Sequence, residues 1–256
     1  TTMSNGAVVI PKNIGRQSIL RDRNKNNVTP HQPTSEHVVK WLATPPNSWI
    51  VNYLGTLYDK EGIEAILEFI DNSIDALSKK SIIKILSDPN NKHVSEIIIA
   101  DNGTGISEET LPEAMRLAAD TGHDDNDIGK FGTGMKSAAF NLGTKMVMYT
   151  RDVYHPNCPG LRVEMSIESM NANGGEPGVL WNFMSTEDNI FFAKHVPEEE
   201  EGVPAKNGTV IHITGIRNND RKAKTARAFR EKLAKRFAVI YRDMLQNPDV
   251  RELTVM

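Results

Sequence analysis

Residues 68–76 read EFIDNSIDA, and this stretch determines how the rest of the chain is interpreted. It belongs to the run EGIEAILEFIDNSIDAL, residues 61–77, in which apolar residues recur every three or four positions. That spacing predicts an amphipathic helix over about residues 61–79. At 100° per residue, the predicted core stripe consists of Ile63, Ile66, Ile70, Ile74 and Leu77.

The polar residues Glu68, Asn72 and Asp75 fall together on nearly the opposite face of this helix. Their spacing of four and three residues lets the side chains converge beside the helix. One interpretation is an ordinary solvated face. The other is a ligand set, because an amide oxygen suits Mg²⁺, and a carboxylate one turn earlier can take a proton from water. Asp71 projects to the side and receives no role.

Composition limits the classes of protein that are compatible with the chain. The 256 residues are 39% hydrophobic and 25% charged, which is typical of a soluble globular protein with one large or two small domains. The net charge of −3 excludes a basic field over the whole protein. Cys158 is the single cysteine, so we expect a reducing, intracellular compartment, cytoplasmic or nuclear. No apolar run is long enough to span a bilayer, so no membrane contact is expected.

A first glycine motif follows a predicted buried strand, in the stretch IIIADNGTGI at residues 97–106. Asp101 at the strand end could accept a hydrogen bond from an exocyclic amine. Gly103 and Gly105 would let the backbone approach a flat ligand closely. A plain turn uses the same residue types, so the motif alone leaves both interpretations open.

A second glycine motif, DIGKFGTGMKSAA at residues 127–139, has glycines at 129, 132 and 134 before a predicted helix. Backbone N–H groups at a helix start bind phosphates well. The spacing differs from both the dinucleotide fingerprint and the P-loop. A flexible loop without a ligand would show the same pattern.

The stretch NGTVIHI, residues 207–213, also has two interpretations. Asn207 begins a glycosylation sequon, although nothing else indicates secretion. Alternatively, Thr209 opens an apolar strand and directs its hydroxyl inward, where it needs a partner such as a bound base with its water.

Weaker patterns predict the remaining elements. Helices are predicted near residues 34–43, over 107–119 with Ser107 as cap, and over about 220–245. The acidic run at 198–202 is expected to be a solvated loop. Strands are predicted over residues 93–101, 145–151, 161–169, 178–184 and 208–216, with another beginning in RELTVM at 251–256.

The order of the motifs E-x-x-x-N-x-x-D-A, D-x-G-x-G, G-x-x-G-x-G and N-G-T over residues 60–215 resembles the GHKL, or Bergerat-fold, ATPases. This superfamily includes the gyrase B subunit, the ninety-kilodalton heat-shock chaperone, histidine kinases and MutL. The resemblance implies an α+β fold: a two-layer α/β sandwich whose mixed, mostly antiparallel sheet is covered by helices on one face. Residues 128–151 are most similar to the MORC ATPases, although Asn141 stands where an Arg is usual.

The resemblance also implies a role for each motif residue. Glu68 would be the catalytic base, and Asn72 would coordinate Mg²⁺. Asp101 would bind the adenine amino group, and Thr209 would join that network through water. The other implied ATP-binding residues are Asp75, Gly103, Gly105, Ile106, Gly129, Lys130, Phe131, Gly132, Thr133, Gly134, Met135 and Lys136, those from Gly129 onward as a lid over the phosphates.

The implied function is Mg-dependent binding of ATP and its hydrolysis to ADP and phosphate. It would drive an ATP-dependent homodimer in a longer, DNA- or chromatin-associated protein of MORC or MutL type. The alternative is a chaperone-like ATPase module that gates protein binding. In several relatives a second domain supplies a Lys to the γ-phosphate, and we expect this chain to end before such a domain, with weak turnover.

Three regions are predicted along the chain. Residues 1–34 form an N-terminal arm or irregular segment, which either crosses over in a dimer or is a disordered tail. Residues 35–218 form the ATP-binding domain. Residues 219–256 comprise a basic helix and the start of a truncated following domain. The helix region, 217–242, carries ten Lys or Arg against two acids, which indicates either a DNA contact or a solvated helix packed by its apolar side.

Overall fold

The structure, a computed structural model, describes the chain in several ranges. These are residues 53, 55–116, 134–155, 157–172, 179–218, 222–242 and 252–256, with the backbone alone at 40–41. The predicted arm and residues 129–133 of the predicted lid therefore lie outside the described residues.

Within these ranges, one mixed sheet of eight strands forms the framework of the protein. The strands pair antiparallel throughout, except for a parallel pair at one edge. In chain order they are β1 (Lys40–Trp41), β2 (Lys80–Ser87), β3 (Val94–Asp101), β4 (Lys145–Arg151), β5 (Leu161–Ser166), β6 (Leu180–Phe183), β9 (Gly208–Thr214) and β10 (Glu252–Val255). Their spatial order is β1-β6-β5-β4-β9-β3-β2-β10, and β2 and β10 form the parallel pair.

The described helices complete the α+β fold that the resemblance implies. They are α1 (Ile63–Asp75), α2 (Leu111–Met115), α3 (Gly134–Leu142), α4 (Ile167–Ala172), α5 (Thr186–His195) and α6 (Ala226–Ile240). Strands β7 (Glu198–Glu200) and β8 (Val203–Pro204) pair with each other as a short exposed hairpin. None of the described helices is both long and apolar enough to cross a membrane.

The main core lies between one face of the sheet and the helices α1, α3 and α6. Alternation along β3 places Ile97 and Ile99 in this core, together with Phe69, Phe140 and Phe229. Ile98 and Ala100 face the other side of the sheet, where Phe192 of α5 covers them. The mixed, mostly antiparallel sheet confirms the predicted fold class, and α5 is an additional element that the sequence analysis did not predict.

Helix α1 confirms most of its predicted core stripe. Ile63, Ile66 and Ile70 are buried, and Ile74 is half-buried. The prediction is wrong for Leu77, which is 53% exposed and has a φ of 58°. The helix ends at Asp75, and the N–H groups of Leu77 and Ser78 return to the carbonyls of Ile74 and Ser73. This left-handed helix end rotates Leu77 away from the core.

Four other local predictions are corrected by the structure. The strand predicted over residues 161–169 ends at Ser166, and residues 167–169 begin helix α4. Residues Lys40–Trp41, predicted as helix, form a strand against β6. The helix predicted from Ser107 begins at Leu111, because Ser107 and Thr110 first form a hydrogen-bonded turn. Glu198–Glu200, within the predicted acidic loop, are exposed as expected but form a short strand.

The basic helix packs on the same sheet whose strand β3 ends at the first glycine motif, and the last strand joins that sheet. In α6, Phe229, Leu233 and Phe237 are buried in the main core, as the solvated-helix interpretation predicts. Strand β10 extends the sheet beyond β2. The predicted domain boundaries at residues 34 and 218 stay predictions.

Candidate functional site

Three polar side chains lie side by side where neighbouring strands end. Asp101 is the last residue of β3 and pairs with Thr209 of β9, which in turn pairs with Thr150 of β4. The two threonine hydroxyls are 3.2 Å apart. All three residues are buried, so this corner of the sheet holds one acid and two hydroxyls below the protein surface.

The Asp101 carboxylate is held by both the following turn and α1. Its Oδ1 atom accepts the Gly103 N–H at 2.8 Å. The Ser73 hydroxyl lies 3.5 Å from Oδ2 and 2.9 Å from the carbonyl of Phe69. Helix α1 therefore places Ser73 beside this acid, while the following turn donates the short hydrogen bond to it.

The turn after Asp101 lies tightly between the end of α1 and the end of β4. Thr104 donates its N–H to the Ala76 carbonyl at 2.9 Å, and Ile106 donates its N–H to the Thr150 hydroxyl at 2.9 Å. A Cβ on Gly103 would lie 2.7 Å from the Ala76 carbonyl oxygen. Gly105 has a φ of 69°. Both glycines are thus required by the close approach of other backbone segments.

We expect Gly105→Ala to destabilise the protein more than Gly202→Ala. Both glycines have positive φ, which costs an alanine about 1–2 kcal/mol. At Gly105 the new Cβ would also lie 1.9 Å from the Arg151 carbonyl oxygen, whereas nothing lies within 4 Å at Gly202. The overlap adds about 1–3 kcal/mol. Chemical denaturation measures the two free energies of unfolding, and equal losses would contradict the described turn.

Glu68 lies half-buried on α1, against the first residue of α3. A Cβ on Gly134 would lie 2.2 Å from Glu68 Oε2, so glycine is what allows the carboxylate to occupy this position. Burial raises the pKa of Glu68, the negative charge of Asp71 raises it further, and a hydrogen bond with Tyr58 lowers it. A carboxylate with a raised pKa is a better proton acceptor near neutral pH.

Asn72 and Asp75 are exposed one and two turns beyond Glu68. The structure thus leaves the side chain of Asn72 accessible beside the half-buried carboxylate. An accessible amide oxygen one turn from an acid fits a cation that takes most of its ligands from phosphates and water.

Asp71, which the sequence analysis left without a role, connects α1 to the end of α6. Its Oδ1 atom accepts a hydrogen bond from the Tyr241 hydroxyl at 2.8 Å. Burial raises the pKa of Asp71, and the hydrogen bond from Tyr241 opposes that shift. The contact is structural, and it brings a residue some 170 positions away in sequence to α1.

Three of the predicted lid residues, Gly134, Met135 and Lys136, lie in α3, and each has different surroundings. Gly134 touches Glu68, and Met135 is partly buried against the main core. Lys136 is 1% exposed and donates from Nζ to the Ala114 carbonyl of α2 at 2.6 Å. Burial lowers the pKa of Lys136 to about 8. In this arrangement the ammonium group faces α2, so contact with a phosphate would require it to leave that carbonyl.

Sequence reasoning missed three residues of this site. Ser73 falls on the buried side of α1, and a polar residue there needs a partner, which is a usable signal. Thr150 stands near the end of an otherwise apolar strand. Tyr58 precedes α1 in an irregular segment, where no periodicity indicates its neighbours.

Comparison with known families defines the class of protein. Residues 61–173 match the family described as "Histidine kinase-, DNA gyrase B-, and HSP90-like ATPase". The matched segment contains α1, the Asp101 turn, the second glycine motif and strands β4 and β5. This part of the chain is therefore similar to GHKL-type ATPase domains, and the predicted resemblance is confirmed.

The relatives are microrchidia proteins, which confirms the MORC-type resemblance. "Protein MICRORCHIDIA 7" of Arabidopsis thaliana is 29% identical over 114 residues, covering 43% of this chain and 15% of that protein. "ATPase morc-1" of Caenorhabditis elegans is 36% identical over 92 residues, covering 35% of this chain and 10% of that protein. "Protein MICRORCHIDIA 6" of Arabidopsis thaliana is 24% identical over 89 residues, covering 34% and 13%. The chain thus aligns with a small part of each of these relatives.

Proposed function

We propose that this domain binds ATP with Mg²⁺ and hydrolyses it to ADP and phosphate. One observation carries the proposal, which is that helix α1 brings the three key groups together. It presents the half-buried Glu68 and the exposed Asn72. Its Ser73 also lies next to the buried Asp101. The family match over residues 61–173 and the relative named as an ATPase support it.

The residues divide the work as follows. Asp101 accepts a hydrogen bond from the adenine amino group, and Thr209 and Thr150 supply hydroxyls beside it. Asn72 would hold Mg²⁺, which neutralises phosphate charge when bound. Glu68 takes the proton from the attacking water at its carboxylate. Backbone N–H groups of the second glycine motif would bind the phosphates as the lid.

We expect Asn72→Ala to remove most of the Mg-dependent part of ATP affinity. Mutation of even the outer-shell partners of metal ligands typically costs about 10–100-fold in metal affinity, so loss of a ligand should cost at least about ten-fold. Affinity measured without Mg²⁺ should change little. Asn171→Ala, at an exposed asparagine of α4, is the matched control. An unchanged Mg²⁺ dependence in Asn72→Ala would refute the assignment of the metal ligand.

The biological setting is proposed from the microrchidia resemblance. We infer a DNA- or chromatin-associated protein in which ATP drives homodimerisation. The three microrchidia relatives favour this setting over the chaperone-like alternative.

The basic helix gives only limited support to a DNA contact. In α6, Lys232 pairs with Glu61 at 2.8 Å and Arg236 with Glu64 at 2.9 Å. Arg227 pairs with Glu231 within the helix at 2.9 Å. Much of the positive charge is therefore balanced by nearby carboxylates, and the buried apolar side of α6 explains the helix as part of the fold.

A further inference from the structure

Asn207, which the sequence leaves with two interpretations, contacts the turn that follows Asp101. Its side-chain Nδ2 donates to the Gly103 carbonyl oxygen at 2.7 Å, across 104 positions of sequence. A carbonyl oxygen only accepts hydrogen bonds, so the amide nitrogen must be the atom that faces it. A glycan would be attached to that same nitrogen, so the contact favours an internal role for Asn207 over a glycosylation site.

Gly208 explains how the two segments come close enough for this contact. It has a φ of 130° and is the first residue of β9. A Cβ at this position would lie 2.1 Å from the Asp101 carbonyl oxygen and 3.0 Å from the Asn102 Cα. The chain before β9 therefore lies directly against the end of β3, and the Asn207 side chain reaches Gly103 just beyond it.

Gly103 is held through both of its backbone polar groups. Its N–H donates to Asp101 Oδ1 at 2.8 Å, and its carbonyl accepts from Asn207. Glycine has wide conformational freedom, so a turn that contains it needs such contacts to keep one geometry. The two hydrogen bonds connect the Asn207 amide to the Asp101 carboxylate through a single residue.

Thr209 holds the other end of the same turn. Its hydroxyl is 3.2 Å from Thr150 Oγ1, which accepts the Ile106 N–H at 2.9 Å. The stretch 207–209 thus contacts the turn directly at one end and through a threonine hydroxyl at the other. The motif that supplies the buried Thr209 therefore also fixes the first glycine motif.

We propose that Asn207 is a positioning residue of the adenine site, which fixes the turn after Asp101 through the Gly103 carbonyl. The inference rests on the proposed function of Asp101 as the adenine ligand. Without the donor of Asn207, Gly103 moves more freely and the carboxylate loses a fixed hydrogen-bond partner. Adenine then binds to a less ordered site, which lowers its affinity. The phosphates are bound by other residues, so their binding does not change.

Two variants remove the donor in different ways. Asn207→Ala leaves a gap and adds no charge, whereas Asn207→Asp keeps the size of the side chain and, when ionised, has no hydrogen to donate. The loss of the donor is what the two variants share, so an effect seen in both comes from it. Asn90→Ala and Asn90→Asp, at an exposed asparagine in the turn between β2 and β3, are the matched controls.

Hydrogen exchange of the nucleotide-free chain tests the contact without any ligand. In both Asn207 variants the Gly103 N–H should exchange at least about three-fold faster than in the wild type, because its turn opens more often. The Ile99 N–H, in the middle of β3, should exchange as in the wild type, since both neighbouring strands still pair with it. Equal exchange of the Gly103 N–H in the variants and the wild type overturns the inference.

Binding of a non-hydrolysable ATP analogue gives a second readout, which a general loss of stability would not reproduce. Its affinity should fall about two- to ten-fold in both Asn207 variants, which is the contribution of one neutral hydrogen bond. Inorganic triphosphate, which lacks adenine, should bind the variants and the wild type equally. Unchanged affinity for the analogue overturns the role of Asn207. An equal loss for triphosphate overturns it as well, since that result indicates a defect of the whole site.

The outcomes separate this inference from the proposed function. A wild type that binds no ATP analogue overturns the proposed function, while the exchange of the Gly103 N–H still decides whether Asn207 fixes the turn. A wild type that binds the analogue, together with unchanged exchange in both variants, overturns only the role of Asn207.

Discussion

Glu68→Gln is expected to abolish ATP hydrolysis while leaving ATP affinity close to that of the wild type. The amide keeps the size of the carboxylate and fits the same space against Gly134, but it cannot accept a proton from water. General-base catalysis contributes about 10²–10⁴-fold to rate, so the residual rate should fall by at least two orders of magnitude. Phosphate release measures the rate, and calorimetry with a non-hydrolysable analogue measures the affinity.

Glu64→Gln is the matched control for this experiment. Glu64 lies one turn earlier on the same helix and pairs with Arg236 at 2.9 Å. Because this pair is partly exposed, its loss should cost little stability and no activity. If Glu68→Gln hydrolysed ATP at the wild-type rate, the assignment of the base would be wrong.

Asp101→Asn is expected to weaken ATP binding by about ten- to a hundred-fold, since a hydrogen bond to a charged group contributes about 1.5–3 kcal/mol. The asparagine oxygen can still accept the Gly103 N–H, and its amide can face the Ser73 hydroxyl, so the turn should fold. What changes is the atom offered to adenine, because an amide N–H₂ group cannot accept from the exocyclic amine.

The affinity loss in Asp101→Asn should depend on the base. Inorganic triphosphate, which lacks adenine, should bind the variant and the wild type equally. Asp88→Asn, at an acid in the turn between β2 and β3, is the control and should leave ATP affinity unchanged. Equal ATP affinity in Asp101→Asn and the wild type would exclude Asp101 as the adenine ligand.

The sequence predicts those parts of the site whose position follows from the local periodicity of a helix or strand. The 3.6-residue period of α1 places Glu68, Asn72 and Asp75 away from the main core, and the structure leaves Asn72 and Asp75 exposed. The apolar run before Asp101 predicts a strand that ends at this residue, which the structure confirms.

Contacts between distant segments account for what the sequence did not predict. The hydrogen bond from Tyr241 to Asp71 depends on how α6 packs on α1, and no local pattern encodes it. The inward direction of Lys136 depends likewise on the position of α2. Sequence patterns alone assign Asp71 to the surface and Lys136 to the lid, because they contain no information about contacts between distant segments.

Helix α5 is a different case, since a local signal for it exists. Ser185 and Asp188 form a capping box, in which each side chain accepts the backbone N–H of the other. An S-x-x-D pattern shortly before apolar residues, here Phe191 and Phe192, predicts the start of a helix. The helix covers the second face of the sheet, which the GHKL resemblance led us to expect without helices.

Calorimetric titration of residues 1–256 with a non-hydrolysable ATP analogue, with and without Mg²⁺, tests the central claim most directly. The claim is that α1 and the end of β3 together form a Mg·ATP site. We predict one binding event per chain, stronger with Mg²⁺ than without it, and weakened by Asp101→Asn. No heat of binding in either condition, for a chain shown to be folded, would contradict the account.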